Sequence, residues 1–265
     1  MKYPDDYVNK IICGDNLEVM PNIPDNYIDL TVTSPPYDNL RTYKGYIFDF
    51  EDIAKGLYRI TKQGGVVVWI VGDETINGSE TGTSFKQALY FKEIGFNLHD
   101  TMIYEKDPRY PDKTRYLGCF EYMFILSKGI PKTFNPIIDL NNTTYSTKRK
   151  SYNRDKDGDI SISKQLTIKQ KCKRLNIWFF SAGYGRSSKD KIAFQHPAIF
   201  PEQLAQDHIL SWSNEGDIVL DPMCGSGTTC KMAKKLGRKY IGIDISFKYY
   251  ELSQRRVNAT PEPLF

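Results

Sequence analysis

Residues 217–244 constrain the fold more tightly than any other stretch of the chain. Asp217-Ile218-Val219-Leu220 reads as a strand, Asp221-Pro222-Met223-Cys224-Gly225-Ser226-Gly227-Thr228 as a loop, and 229–236 as a helix closed by Gly237. Tyr240-Ile241-Gly242-Ile243 follows as a second strand, with Asp244 at its carboxyl end. Strand, helix and strand in this order make two parallel neighbours, and they bring the loop and the acid to one edge of a sheet. The glycines permit close backbone approach at a helix amino terminus, and Asp244 can accept both hydroxyls of a ribose. The third glycine of a dinucleotide fingerprint is missing, because Thr228-Thr229 follow Gly227 directly. Asp221 would sit badly beside a pyrophosphate and well beside a cation. The expected ligand therefore carries a nucleoside and a positive centre, and S-adenosyl-L-methionine has both.

A second constraint lies far upstream. The apolar run 28–32 reads as a buried strand and continues into Thr33-Ser34-Pro35-Pro36-Tyr37. Two prolines fix φ and remove two N–H donors, so the strand must stop there. The corner offers the Ser34 hydroxyl, the Ser34 and Pro35 carbonyls and the Tyr37 ring. Acceptors beside an aromatic face suit a planar group that presents an NH2, such as a nucleobase with its exocyclic amine. By itself the stretch could equally be an ordinary turn.

Elsewhere strands and helices alternate. Short strands at 11–13, 101–104 and 122–126, a strand over 66–71 and helices over 50–60, 84–94, 202–212 and 247–257 are expected. Gly64-Gly65 is read as the end of the helix over 50–60. This alternation predicts an α/β fold with a doubly wound, mostly parallel, Rossmann-like sheet. No run is apolar enough to span a membrane, and Met1 to Asp6 carries no signal-peptide core. Five cysteines without a C-x-x-C pair point to reduced thiols, a cytoplasmic setting and no metal site. His99, His196 and His208 lack ligand spacing and are read as structural.

The net charge of +4 conceals a segregation. Residues 106–191 hold 19 Lys and Arg against 8 Asp and Glu, which leaves 17 against 24 for the remainder. Lys148, Arg149, Lys150, Arg154, Lys171, Lys173 and Arg174 form its densest part, with Tyr145 and Tyr152 interleaved. Clustered cations of this kind release counterions from phosphates, which predicts a nucleic-acid surface; a solvated insertion would have the same composition. Three parts are expected: 1–105, the last sheet strand or strands with a basic recognition segment at 106–191, and 192–265.

The two motifs together resemble the amino-group DNA methyltransferases, which modify cytosine at N4 or adenine at N6. The catalytic motif precedes the cofactor motif with a variable segment between, the beta-class order. Met223 departs from the phenylalanine common at that position in the family. The resemblance covers roughly 10–130 and 190–257 and includes His196-Pro197 ahead of the helix at 202–212. It implies that S-adenosyl-L-methionine is held by Asp15, Thr33, Phe200, the loop Asp221 to Thr228, Asp244 and Ile245. Asp15 has a competing reading as a helix N-cap. DNA contact is assigned to Arg41 and the basic cluster. DNA is the expected partner, a cognate restriction endonuclease is compatible with the resemblance, and monomer and homodimer stay open.

The implied chemistry is direct SN2 methyl transfer to the amine of a flipped base. Ser34, Pro35, Pro36 and Tyr37 would be the catalytic corner, with Ser34 and the Pro35 carbonyl accepting the amine hydrogens and Tyr37 stacking. Serine before Pro-Pro favours cytosine-N4 over adenine-N6. A dehydrogenase would leave the Pro-Pro corner unexplained. An RNA or protein-amide methyltransferase, and a catalytically dead DNA-binding module, remain as alternatives.

Overall fold

The computed structural model describes residues 6–36, 48–108, 113–142, 148–167 and 169–262, with backbone alone at 148–151 and 163–167. Tyr37 and Arg41 lie outside the described residues, as do the side chains of Lys148, Arg149 and Lys150. The first half contains β1 (Lys10–Cys13), α1 (Asn16–Val19), β2 (Ile28–Thr33), α2 (Phe50–Ile60), β3 (Thr61–Val71), β4 (Thr75–Ile76), β5 (Ser79–Glu80) and α3 (Thr83–Glu93). Next come β6 (Asn97–Glu105), β7 (Phe120–Ser127), β8 (Ile138–Asn141), β9 (Lys148–Arg154), β10 (Ile160–Thr167), β11 (Lys171–Lys173) and β12 (Ile177–Phe179). The last are α4 (Glu202–Trp212), β13 (Ile218–Asp221), α5 (Thr228–Lys235), β14 (Lys239–Asp244) and α6 (Phe247–Asn258).

One compact unit comprises the chain up to Asn135 and from Asn176 on. Its sheet has the order β1-β14-β13-β2-β3-β7-β6-β12. β7 pairs antiparallel with both β3 and β6, and the other pairings are parallel. Central strands of a sheet covered on both faces read as continuous apolar runs, and Val66 to Val71 are each at most 1% exposed. On one face Val67, Trp69, Val71, Leu220, Ile241 and Ile243 pack against Ile53 and Leu57 of α2 and Phe91 of α3. The other face carries α5 beside β13 and β14, with α4 and α6 flanking it. Gly242 is required there: a Cβ would lie 2.8 Å from Cys230 Sγ of α5 and 2.6 Å from Ile11 Cδ1.

The progression of the chain across the sheet reverses between the parallel neighbours β13 and β2. From β13 the chain crosses through α5 to β14 on one side, and from β2 through α2 to β3 on the other. Ligands of open α/β sheets bind at such a switch point, outside the carboxyl ends of the strands. Three contacts brace it. Asp29 Oδ2 accepts from the Ile218 N–H at 3.0 Å while Asp29 also takes Lys62 of β3. At the carboxyl end Thr33 Oγ1 donates to Asp221 Oδ1 at 2.8 Å, and Thr229 Oγ1 to the Val32 carbonyl at 3.0 Å.

The structure departs from the sequence pattern in two places. Gly64-Gly65 does not end α2: the helix stops at Ile60 and β3 begins at Thr61. Ile28 pairs with Thr61 but Leu30 with Val66, so β3 bulges over 62–65. The bulge is stable because its backbone is satisfied from outside the ladder, Gly64 N–H donating to Lys128 O and Lys132 N–H to Gly64 O. The strands expected over 101–104 and 122–126 are β6 and β7, longer than read and antiparallel to each other.

The second unit spans Pro136–Leu175. It consists of two antiparallel pairs, β9 with β10 and β8 with β11. The β9–β10 turn is nucleated by Asp155, whose Oδ1 accepts from the N–H groups of Asp157 and Asp159. Among the described residues no buried hydrophobic side chain falls within this unit, while Tyr152, Ile160 and Ile162 are exposed.

Candidate functional site

A cavity of about 810 Å³ opens at the switch point. Its volume falls in the range of small-molecule sites. Ser34, Pro35 and Pro36 from the β2 corner line it, as do Pro222, Met223, Cys224, Gly225, Ser226 and Thr228 from the glycine loop. Asp244 and Ile245 beyond β14, and Phe200 ahead of α4, complete the sequence-predicted residues on the wall. The two motifs, nearly two hundred residues apart in sequence, thus face one space.

Four assigned cofactor residues are not among the residues lining the cavity. Asp221 is 1% exposed and accepts from Thr33 Oγ1 and, at 3.2 Å, from the Met223 N–H. Burial pushes its carboxyl up to about 6, with the Thr33 and Met223 hydrogen bonds pulling the other way. In this arrangement Asp221 and Thr33 act as a clasp between β13 and β2. Gly227 has φ +75° at the α5 N-cap, and a Cβ there would lie 2.7 Å from Ser253 Cβ of α6. Its missing side chain makes room for a helix, while the missing side chain of Gly225 makes room for His196, 2.9 Å from where a Cβ would stand. Asp15 caps α1, its Oδ1 accepting from the Leu17 N–H at 2.8 Å.

Asp244 faces the cavity with both oxygens already oriented. Oδ2 accepts from the Gly225 N–H at 2.8 Å and Oδ1 from the Ser246 N–H at 2.9 Å. Burial raises its carboxyl to about 6 against those two bonds. The glycine loop is therefore folded onto the acid that the sequence places at the next strand end.

Asn16 is a site residue that sequence reading passed over. It lines the cavity at 4% exposure, and its Nδ2 donates to the Pro222 carbonyl at 3.2 Å. Its Oδ1 is buried with no partner among the described residues. An orphaned buried acceptor costs about 1–3 kcal/mol, so a ligand donor there would recover that loss. Only its position after the Gly14-Asp15 strand end signals it in the sequence. His196 and Tyr249 add an edge-to-face aromatic pair, centroids 4.3 Å apart, to the same wall.

Behind the loop sits a four-charge network. Arg256 of α6 is fully buried and donates to the Ser226 carbonyl, to Glu202 at 2.8 Å and to Asp190 at 2.9 Å. Lys231 of α5 shares Glu202 at 2.7 Å. Burial would raise the Glu202 carboxyl, but the hydrogen bonds from Lys231 and Ser188 and the Arg256 charge together hold it below its ordinary value. His208 is buried and lowered to about 3 by desolvation, so it stays neutral against Met123 Sδ. Among the described residues no group of His, Cys, Asp or Glu has metal-binding geometry, and no helix is long and apolar enough to cross a membrane.

Of the basic residues assigned to DNA, Arg154, Lys171 and Lys173 are exposed on the second unit. Arg174 is not a free cation there, because it forms an ion pair with Asp139, whose carboxyl its hydrogen bond holds down.

Known proteins share both the sequence and the fold. A family model described as "DNA methylase" (N6_N4_Mtase) matches residues 28–255. The orphan methyltransferase M.BamHII of Bacillus amyloliquefaciens is 61% identical over 240 residues, covering 89% of this chain and 91% of that protein. Among solved structures, the PvuII DNA methyltransferase, described as cytosine-N4-specific, superposes with a TM-score of 0.67 at 22% identity, over 93% of this chain and 85% of that one. A candidate DNA modification methylase from Thermus thermophilus, solved with S-adenosyl-L-methionine, gives 0.65 at 22% identity over 96% and 95%.

Proposed function

The chain belongs to the N6/N4 DNA methylase family, and we propose that it transfers a methyl group from S-adenosyl-L-methionine to the N4 amine of a cytosine in DNA. The observation that carries the reading is the meeting of Ser34-Pro35-Pro36 and Asp244 on one cavity. The residues present fit the cofactor: the cavity offers a carboxylate at a strand end and an orphaned amide acceptor on Asn16. S-adenosyl-L-methionine, when bound, supplies an electrophilic methyl on a sulfonium. Asp244 would hold the ribose hydroxyls, and Asn16 Oδ1 would accept from an N–H of the same ligand. At the corner, Ser34 and the Pro35 carbonyl accept the hydrogens of the base amine and so turn its lone pair out of the ring. This is positioning and electrostatic preorganisation, with no covalent intermediate on the protein. A base reaches the corner only after flipping from the duplex. The basic strands of the second unit are proposed to contact the phosphates.

Cytosine is chosen over adenine because serine precedes Pro-Pro, and that choice is separable from the rest. Duplex DNA treated with the protein, digested to nucleosides and weighed by mass spectrometry, is expected to yield N4-methylcytosine. N6-methyladenine as the sole product would overturn the base and leave the family and cofactor intact. No methylated base at all would overturn the activity.

Asp244 gives this reading a pH signature. The carboxylate must be ionised to accept two hydroxyls, and its folded value lies near 6 rather than 3.8. Cofactor affinity is expected to fall as pH drops through 6, by about tenfold per unit below it. The unbound protein behaves oppositely: a raised folded value makes Asp244 stabilise the fold below 3.8 and lose that contribution as pH rises through 6. Calorimetric titration across that window checks the sign, and Asp244→Asn should flatten the curve. A cofactor affinity independent of pH in the wild type would remove Asp244 from the site.

A further inference from the structure

We infer that the ion pair of Lys106 and Glu121 forms the far wall of a target-base subsite and reads the edge of the base across from its methyl-accepting amine. This rests on the methyltransferase reading above and adds to it a specificity-determining pair that neither motif contains.

The placement comes from the sheet. Glu121 lies in β7 directly opposite Tyr104 of β6, and Lys106 follows two residues after Tyr104, so all three share one face. The Lys106 N–H extends the ladder to the Cys119 carbonyl at 2.7 Å, which fixes its backbone. Its ammonium pairs with Glu121 and sits 5.8 Å from the Tyr104 ring centroid. The two side chains are only 9% and 12% exposed, yet both line the cavity. Among the described lining residues Lys106 is the one Lys or Arg.

Along the carboxyl edge of the sheet the wall residues run Asp244 at β14, Pro222 at β13, Ser34 at β2, Glu121 at β7 and Lys106 beyond β6. Ser34 stands between the acid assigned to the cofactor and the ion pair. Glu121 is two strands beyond Ser34, a span of about 10 Å at the usual strand spacing. Because all three line the same cavity, a base whose amine meets Ser34 can turn its opposite edge towards the Lys106–Glu121 pair.

The chemistry suits that position. An ammonium carries three donors and no acceptor, so Lys106 can pair with Glu121 and donate to a ring nitrogen or carbonyl oxygen. Cytosine and adenine both present such acceptors. The adjacent carboxylate keeps the subsite neutral, which a neutral base requires. A buried ion pair adds little to stability compared with an apolar pair of similar volume, so the fold alone gives little reason for charges here.

The test uses the full-length protein and a duplex carrying its methylation site, mapped by sequencing the DNA it modifies. A second duplex has an abasic position in place of the target base. Lys106→Met should lower kcat/KM on the first duplex by about 10- to 100-fold, the worth of one charge-assisted hydrogen bond. Its affinity for the abasic duplex and for S-adenosyl-L-methionine should match the wild type, and Lys106→Arg should recover part of the loss. The double variant Lys106→Met/Glu121→Met leaves no unpaired buried charge, and it should show the same loss with a wild-type melting temperature. Equal weakening on both duplexes, or none on either, overturns the inference while the wild type still methylates DNA. A wild type that transfers no methyl group to DNA instead overturns the functional reading beneath it.

Discussion

Ser34→Ala will lower kcat about 100-fold while leaving the affinity for S-adenosyl-L-methionine within a factor of about two. The magnitude follows from the role: a single group that accepts a hydrogen from the reacting amine contributes to the transition state and not to cofactor binding. The structure makes the separation clean. Ser34 lines the cavity beyond the end of β2, whereas Asp244 and Asn16 approach from the β14 and β1 side. The strand itself is held by its neighbours, Thr33 to Asp221 and Val32 to Thr229, neither of which involves the serine side chain. Those two anchors of the strand survive the loss of the hydroxyl. Single-turnover methylation on a defined duplex, with parallel calorimetry of the cofactor, measures both quantities. Unimpaired turnover in Ser34→Ala would leave the Pro35 carbonyl as the principal acceptor at the corner and would sink the assignment of Ser34.

The second large effect is on stability. Arg256→Ala is expected to cost about 2–4 kcal/mol, because it removes a buried guanidinium and leaves two partly exposed carboxylates with one cation in place of two. Its side chain is fully buried and its three nitrogens serve four acceptors: Asp190, Glu202, the Ser226 carbonyl and Thr228 Oγ1. Only Lys231 would then remain against Glu202 and Asp190. The same substitution frees the Ser226 carbonyl in the glycine loop, so cofactor affinity should fall together with stability, unlike in Ser34→Ala. Denaturant unfolding with an unchanged slope gives the first number, and titration at a temperature where the variant is folded gives the second. A loss under about 1 kcal/mol would show that the network is already compensated by water.

How much of this was readable beforehand depends on the range of the interaction involved. The strand at 218–221, the glycine loop, α5 and β14 are encoded locally by period, glycine position and terminal acid, and they appear where the pattern puts them. The bulge at 62–65 is not local: Gly64-Gly65 looks like a helix stop until Lys128 and Lys132 supply its hydrogen bonds. The same holds for the site. Asp244, Met223 and Ser34 stand on the cavity wall as their motifs suggest, but the turning of Asp221 towards Thr33 depends on a strand 188 residues away. Asn16 gave no motif because its role follows from an unpaired oxygen, a property of packing that composition cannot display. The charge excess of 106–191 was visible, yet the Arg174–Asp139 pairing inside it was not.

The neighbour relation between β2 and β13 has a consequence for how the protein comes into being. β2 receives its β3 partner within a few dozen residues, but its other flank stays bare until the chain has been made through residue 221. Closing a loop of that size carries an entropic cost that grows only slowly with length, so the final pairing is delayed more than it is weakened. Throughout synthesis, then, the Pro-Pro corner exists before any partner for it does, and a nascent chain holds an exposed central strand edge of the kind that invites wrong pairing. Cofactor capture can begin only when β13 and β14 dock. A ribosome-bound chain halted short of them carries the Pro-Pro corner proposed to meet the base but has no cavity to hold a methyl donor.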